Sequence, residues 1–238
     1  MRYRAYLFDV QGTLLDFFQP VRKAVSEYLG ASAQAGASDC TANDFTADDF
    51  TRAWRANYFD RTKRLTPDPR GWRRVQDEYA LGFADVCATF GLPVPTAQQA
   101  ATVASAWQRL EPWPDVAEGL GRIRAGAFAA TLSNTDMSTM IGLFKALDIG
   151  WDAIFTAELF GAFKPDPMVY RGATRLLGVP LEQTALVACH PYDVEAARAL
   201  GMGAIFIRRP DEYGDSAFAH DIEPASVDQY VTDLREIL

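Results

Sequence analysis

Phe8-Asp9-Val10-Gln11-Gly12-Thr13 closes the first apolar run of the chain, and its reading governs the rest. Tyr3 to Phe8 is aromatic and aliphatic, which suits a short buried strand. Asp9 stands just past the end of that strand, and Gly12 lets the backbone turn sharply. Two positions after Asp9 comes Gln11, an amide that cannot carry a proton to a leaving group. One carboxylate without an acidic neighbour suits a nucleophile. It does not suit the acid-plus-base pair that expels the alcohol of a phosphate ester.

Outward from this turn, the chain changes character twice. From about Phe17 to Leu110 the apolar spacing is helical, over Arg22 to Leu29, Ala47 to Tyr58, Gly71 to Phe90 and Thr96 to Leu110. Ala31 to Asn43 is small and polar and reads as a surface loop. Glu111-Pro112-Trp113-Pro114 reads as a rigid linker, since neither proline continues a helix. Beyond it, strands and helices alternate. Strands are expected at Phe128–Leu132, Ala153–Thr156, Ala185–Ala188 and Ala204–Ile207. Helices are expected at Val116–Arg124, Met137–Leu147, Met168–Leu177 and Val194–Leu200, with one more strand and helix in Asp228–Leu238.

Repeated strand–helix units imply an α/β fold, a Rossmann-like parallel sheet with helices on both faces. The helical block after the first strand is then an inserted cap. The expected division is a core of residues 1–16 and 111–238 with a cap of residues 17–110, and an active site between them.

Composition narrows the partners. The chain has 238 residues, 49% of them hydrophobic, enough for a substantial core. A net charge of −8 argues against nucleic acid, which calls for a basic surface. No window approaches the ~20 apolar residues of a membrane span. Met1-Arg2-Tyr3-Arg4 runs straight into the first strand without a signal-peptide profile. Cys40, Cys87 and Cys189 are odd in number and lack paired metal spacing, which reads as reduced thiols in the cytoplasm.

Ligands of open parallel sheets collect at the carboxyl ends of the strands. Asp9 follows the first strand and Ser133-Asn134-Thr135 follow Leu132. The chain after Phe155 runs to Lys164-Pro165-Asp166-Pro167, and Cys189-His190-Pro191-Tyr192-Asp193 follow Ala188. Asp9 with Gly12-Thr13, Ser133-Asn134, Lys164-Pro165 and Asp193, in this order over the whole chain, resemble the four-motif signature of the haloacid dehalogenase superfamily. The phosphatases of that superfamily carry a second aspartate where Gln11 stands and an acidic pair where Cys189 and Asp193 stand. A thiol substitutes poorly for the hard oxygen ligands of magnesium.

The sequence is therefore more similar to the L-2-haloacid dehalogenase (type II) branch, in the subset with histidine in the last motif. This resemblance implies hydrolysis of short L-2-haloacids to D-2-hydroxy acids through an aspartyl ester, without metal or cofactor. It implies Asp9 as nucleophile, Lys164 holding it, and Thr13, Ser133 and Asp193 as further catalytic residues. Arg55 (in Trp54-Arg55), Asn134, Gln11 and Tyr170 would face the substrate or halide. His190 replaces the asparagine that orients the hydrolytic water, and would act as a base with Asp16 or Glu27 behind it. The partner is a small halogenated carboxylate, with neither nucleic acid nor membrane, and a homodimer is implied. Gln11, where the branch carries an aromatic, admits the same displacement on a fluorinated acid or strained-ring carboxylate. A magnesium-dependent phosphatase is the rival class.

Plainer readings stand beside these. Thr13 can cap the turn, and Asp193 can be the N-cap of a helix starting at Val194. Lys164 can be a solvated loop lysine. Arg55 can lie on a solvated face with Arg52, Arg61, Lys63 and Arg64. Phe17, Phe18, Trp54, Tyr58 and Trp113 read mostly as core, and Cys189 as a small buried residue.

Overall fold

A computed structural model of the chain describes residues 1–34, 45–64 and 72–237. In chain order the elements are β1 (Ala5–Phe8), β2 (Leu15–Asp16), α1 (Phe18–Gln34), α2 (Ala47–Arg64), α3 (Val75–Thr89), α4 (Ala97–Ala104), β3 (Glu111–Pro112), α5 (Val116–Arg124) and β4 (Phe128–Thr131). There follow α6 (Met137–Leu147), α7 (Ala157–Phe160), α8 (Pro167–Leu177), β5 (Thr184–Ala188), α9 (Pro191–Ala199), β6 (Gly203–Ile207) and β7 (Gln229–Val231). The chain separates into two compact units, Met1–Asp16 with Glu111–Leu238, and Phe17–Leu110.

The first unit is built on one five-stranded sheet of order β4-β1-β5-β6-β7, every neighbouring pair parallel. All four residues of β1 are buried, as are all five of β5 and of β6, because a parallel sheet is covered on both faces. This explains the unbroken apolar runs in the sequence. Helix α5 packs on β4, and α9 on β5 and β6. Chain order moves outward from β1 to β4 on one side and to β5, β6 and β7 on the other. The carboxyl end of β1 is therefore the point where the order reverses, which is where such sheets form their sites.

Three readings of this unit are corrected. Ala153–Thr156 forms no strand: it makes isolated bridges, Ala153 with Ala130 and Thr156 with Ser133. The Thr131 hydroxyl donates to the Phe155 carbonyl (2.9 Å) and accepts from the Phe155 amide (3.0 Å), beside the main-chain bonds from Thr131 N to Ala153 O and from Ser133 N to Phe155 O. Glu111–Pro112 is more than a linker, since it pairs antiparallel with Leu15–Asp16; a proline is tolerated in so short a strand. Trp113 continues this clasp, its amide donating to Leu14 O and its indole N–H to Gly12 O (2.8 Å). The expected final helix is a single 3-10 turn at Leu234–Glu236.

The second unit is helical. Helix α1 runs on to Gln34, four residues into the stretch read as a loop; positions 35–44, with Cys40, lie outside the described residues. Helix α3 begins at Val75, and 65–71 lie outside the described residues. The last expected helix divides into α4, opened by a reciprocal capping box between Thr96 and Gln99, and a 3-10 turn at Ser105–Gln108. Phe17, Trp54, Tyr79, Phe83 and Trp107 are buried here, with Tyr79 stacked on Trp107 at 4.1 Å between ring centroids. Among the described residues, no helix is long and apolar enough to cross a membrane.

Candidate active site

The turn after β1 sets the site. Gly12 takes φ +90°, which an L side chain rarely adopts, and a Cβ there would strike the Glu212 carboxylate. Leu14 and Leu15 amides both donate to the Val10 carbonyl, closing a compact loop that leaves Asp9 buried at the strand end. Its carboxylate is gripped on both oxygens. Lys164 Nζ donates to Oδ1 at 2.9 Å. The Thr13 hydroxyl donates to Oδ2 at 2.7 Å, and His190 Nδ1 lies 3.0 Å from the same oxygen.

Lys164 is itself held from two directions. Its ammonium also pairs with Asp193 Oδ2, whose other oxygen accepts from the Tyr170 hydroxyl at 2.5 Å. Its main chain is clamped by Asn134, whose amide nitrogen donates to Lys164 O (3.0 Å) and whose oxygen accepts from Lys164 N (2.7 Å). Lys164 is therefore no solvated loop residue; it is buried between two carboxylates. Asn134 and Tyr170, expected to face the substrate, here make these contacts to Lys164 and Asp193. Tyr170 is fully buried.

Asp193 is not a helix N-cap. Proline starts helices readily, so α9 begins at Pro191 with His190 as its N-cap, and Asp193 falls inside the first turn. Thr13 does more than the turn cap read for it. Besides donating to Asp9 it accepts from the Cys189 amide at 3.0 Å, which ties the β1 turn to the end of β5. Ser133 is buried at the end of β4, its carbonyl accepting from Ala157 N at 2.8 Å. Gln11 is buried in the Asp9 turn and bridges to Leu15. Cys189 is a buried free thiol, raised by burial and by Glu212, which suits a packing residue rather than a nucleophile.

Neither Asp16 nor Glu27 backs His190. Its Nε2 meets Glu212 Oε1 at 2.9 Å, so the imidazole is strung between Asp9 and Glu212. Glu212 is fully buried in the segment after β6, and the sequence reading passed over it. The signal was available: β6 neighbours β5 in the sheet, so the segment leaving its carboxyl end should reach the same edge. Arg209 anchors this segment, donating to Thr13 O (2.8 Å) and pairing with the buried Asp115 (2.9 Å).

The charges follow from this packing. Burial works against the Asp9 charge, but Lys164, with hydrogen bonds from His190 and Thr13, outweighs it and holds the carboxyl far below the usual range. Burial likewise opposes the Lys164 charge, and Asp193 and Asp9 overcome it, keeping the ammonium protonated well beyond the ordinary lysine range. Burial pulls His190 down, yet the Glu212 and Asp9 carboxylates together push it well above its normal value. Burial raises the Asp193 carboxyl, with Lys164 offsetting part of the effect. The ligand-type atoms of Cys189, His190 and Glu212 lie within 4.8 Å of one another, but both His190 nitrogens already face carboxylates.

In the helical unit, Trp54 is buried and donates to Tyr79 O at 2.9 Å. Arg55 is 3% exposed, so the solvated-face reading fails for it. Its guanidinium lies over the rings of Phe17, Phe59, Tyr58 and Trp107, at 4.7, 4.7, 5.2 and 5.3 Å from their centroids. It also donates to the Tyr79 hydroxyl at 2.9 Å.

A family model described as haloacid dehalogenase-like hydrolase matches residues 3–201. The chain belongs to this family. (S)-2-haloacid dehalogenase 4A of Burkholderia cepacia is 29% identical over 231 residues, covering 94% of this chain and 92% of its own. (S)-2-haloacid dehalogenase 1 of Pseudomonas sp. (strain CBS-3) is 28% identical over 229 residues, with 94% and 93% covered. Among solved structures, the L-2-haloacid dehalogenase PA0810 matches with a TM-score of 0.77 and 33% identity over 98% of this chain and 96% of that one. The defluorinating L-2-haloacid dehalogenase Rha0230 matches with a TM-score of 0.82 and 28% identity over 98% and 93%. The resemblance to the L-2-haloacid dehalogenase branch is thus borne out, and so is the α/β fold.

Proposed function

We propose that this hydrolase is a 2-haloacid dehalogenase that converts short L-2-haloacids to D-2-hydroxy acids through an ester on Asp9. The observation that carries the reading is a buried carboxylate kept ionised by a buried ammonium, with no acid at the position of Gln11. An ionised carboxylate shielded from water is a competent nucleophile towards a carbon bearing a halogen. Both its oxygens already meet protein donors, Lys164 on one and Thr13 on the other, and a thiol stands at Cys189 where a hard oxygen ligand would be needed, which favours a metal-independent displacement. Similarity to named (S)-2-haloacid dehalogenases over more than nine-tenths of the chain supplies the substrate class.

In this reading the helical unit serves as a cap, Arg55 receives the anionic end of the substrate or the departing halide, and His190 takes the proton of the hydrolytic water. Asn134, Tyr170, Ser133 and Asp193 act by fixing Lys164 and the strand ends, and Gln11 shapes the floor beside Asp9. The expected setting is a cytoplasmic homodimer, which sedimentation of the purified chain tests. Halide release from L- and D-2-chloropropionate, bromoacetate and fluoroacetate, with and without chelator, tests the activity. Release from the L-isomer, unchanged by chelator, is expected; turnover of a phenyl phosphate that depends on magnesium would overturn the reading. A second reading, the same displacement on a fluorinated acid, is favoured by the likeness to the defluorinating enzyme, and fluoride release in that panel decides it.

A further inference from the structure

Asp9, His190 and Glu212 form one buried chain. Nδ1 of His190 lies 3.0 Å from Asp9 Oδ2, and Nε2 lies 2.9 Å from Glu212 Oε1. A neutral imidazole has one N–H and can bond only one of these oxygens as donor. Two short contacts to carboxylates therefore require two protons on the chain. Glu212 is fully buried, and its other oxygen, Oε2, has no hydrogen-bond partner among the described residues. A buried carboxylate so placed needs a charged neighbour. His190 supplies it, since Arg209 on the same segment is turned to Thr13 and Asp115.

We propose that Glu212 is the positioning residue that keeps His190 doubly protonated in the resting enzyme and fixes Nδ1 as the nitrogen that later accepts a proton from water. This rests on the dehalogenase reading for its chemistry. In the first half-reaction an Asp9 oxygen forms a bond to carbon while the carbon–halogen bond breaks and halide leaves with the electron pair. The ester is neutral, so Asp9 no longer holds the Nδ1 proton, which passes to solvent. Glu212 still holds the Nε2 proton, and the lone pair is left on Nδ1, on the side of the ester. Water then attacks the ester carbonyl and Nδ1 takes one of its protons; the tetrahedral carbon expels the substrate oxygen, which takes the other, and the hydroxy acid leaves as the Asp9–His190 contact is restored. One water is consumed and one proton and one halide are released per turnover, the proton in the first half-reaction.

Other groups face the imidazole without replacing Glu212. Tyr192 lies 5.7 Å away between ring centroids, its phenol raised by burial to about 12 and so neutral. His220 lies at 5.5 Å, its Nε2 beside the Tyr213 hydroxyl. Cys189 Sγ is 3.9 Å from both ring nitrogens and is raised by burial, so it stays a thiol. Lys164 acts on the chain through Asp9.

The test compares the full-length chain with Glu212→Gln and Glu212→Asp. The histidine ring signals of the free enzyme come first, since the chain has two histidines and His220→Gln assigns them. The wild type should keep His190 as imidazolium through the neutral range, and Glu212→Gln should lower its pKa by about 1–3 units. This readout needs no substrate, so it stands even if no haloacid is turned over. Rapid mixing with L-2-chloropropionate should then show one proton per site released with the halide burst. Glu212→Gln should keep the halide burst, lose the proton burst, and lower kcat by about 100-fold or more while the ester accumulates. Glu212→Asp should recover part of kcat. An unchanged His190 titration in Glu212→Gln, or halide burst and kcat falling in proportion, would overturn the proposal.

Discussion

Two arms meet at Asp9, and they differ in kind. On the Lys164 side the charge is permanent: an ammonium buried between Asp9 and Asp193, with Tyr170 capping the second carboxylate and Asn134 clamping the main chain. On the His190 side the charge is removable, because an imidazole between two carboxylates can lose a proton near neutral pH once one of them is neutralised. A nucleophile must stay ionised, whereas the group that activates water must change its protonation within the cycle. The asymmetry of the arms gives each its task.

The largest expected effect comes from removing the point where the arms meet. Asp9→Asn should lower turnover by at least about 10³-fold, since a carboxamide is a poor nucleophile. Steady-state halide release checks this, and full activity in the variant would break the account. Next is Lys164→Met, which leaves Asp193 buried without a cation and Asp9 with His190 alone. It should cost roughly 3–5 kcal/mol of stability in denaturant unfolding and at least tenfold in turnover. A variant as stable as the wild type would show that this arm is not what keeps Asp9 ionised.

The pH dependence of stability separates the arms further. Asp9 is depressed and Lys164 raised, so their pairing is fully present above the ordinary carboxylate pKa of ~3.9 and below the ordinary lysine pKa of ~10.4. It is lost only as pH falls through the lowered value or rises through the raised one. His190 is raised, so its contribution is complete below ~6.5 and lost as pH rises through its folded value. Thermal stability should therefore fall above neutral pH in the wild type and less so in His190→Gln. The smallest effect is expected for Tyr170→Phe, which removes one hydrogen bond to a charged group, about 1.5–3 kcal/mol.

The sequence made the sheet legible because β1, β5 and β6 are buried on both faces and so read as unbroken apolar runs. Asp9, Thr13, Ser133, His190 and Asp193 were legible for a related reason, as each follows a strand or sits in its turn, whereas Lys164 was legible from the Lys164-Pro165 motif and not from a strand before it. Local pattern could not show that Ala153–Thr156 makes only isolated bridges, with the Phe155 amide held by the Thr131 hydroxyl, because that bond joins residues 24 apart. Nor could it show that Glu212, in a polar segment after β6, folds back under Gly12 to reach His190. Asp16 and Glu27 were nearer Asp9 in sequence, but proximity along the chain does not decide which carboxylate meets a ring nitrogen.

The central claim is that Asp9 attacks carbon and that water then attacks the Asp9 ester. A single turnover of excess enzyme on L-2-chloropropionate in heavy-oxygen water tests it most directly, with mass analysis of both the hydroxy acid and the peptide holding Asp9. The account predicts an unlabelled first product and one heavy oxygen in Asp9. Label in the first product with none in Asp9 would contradict it.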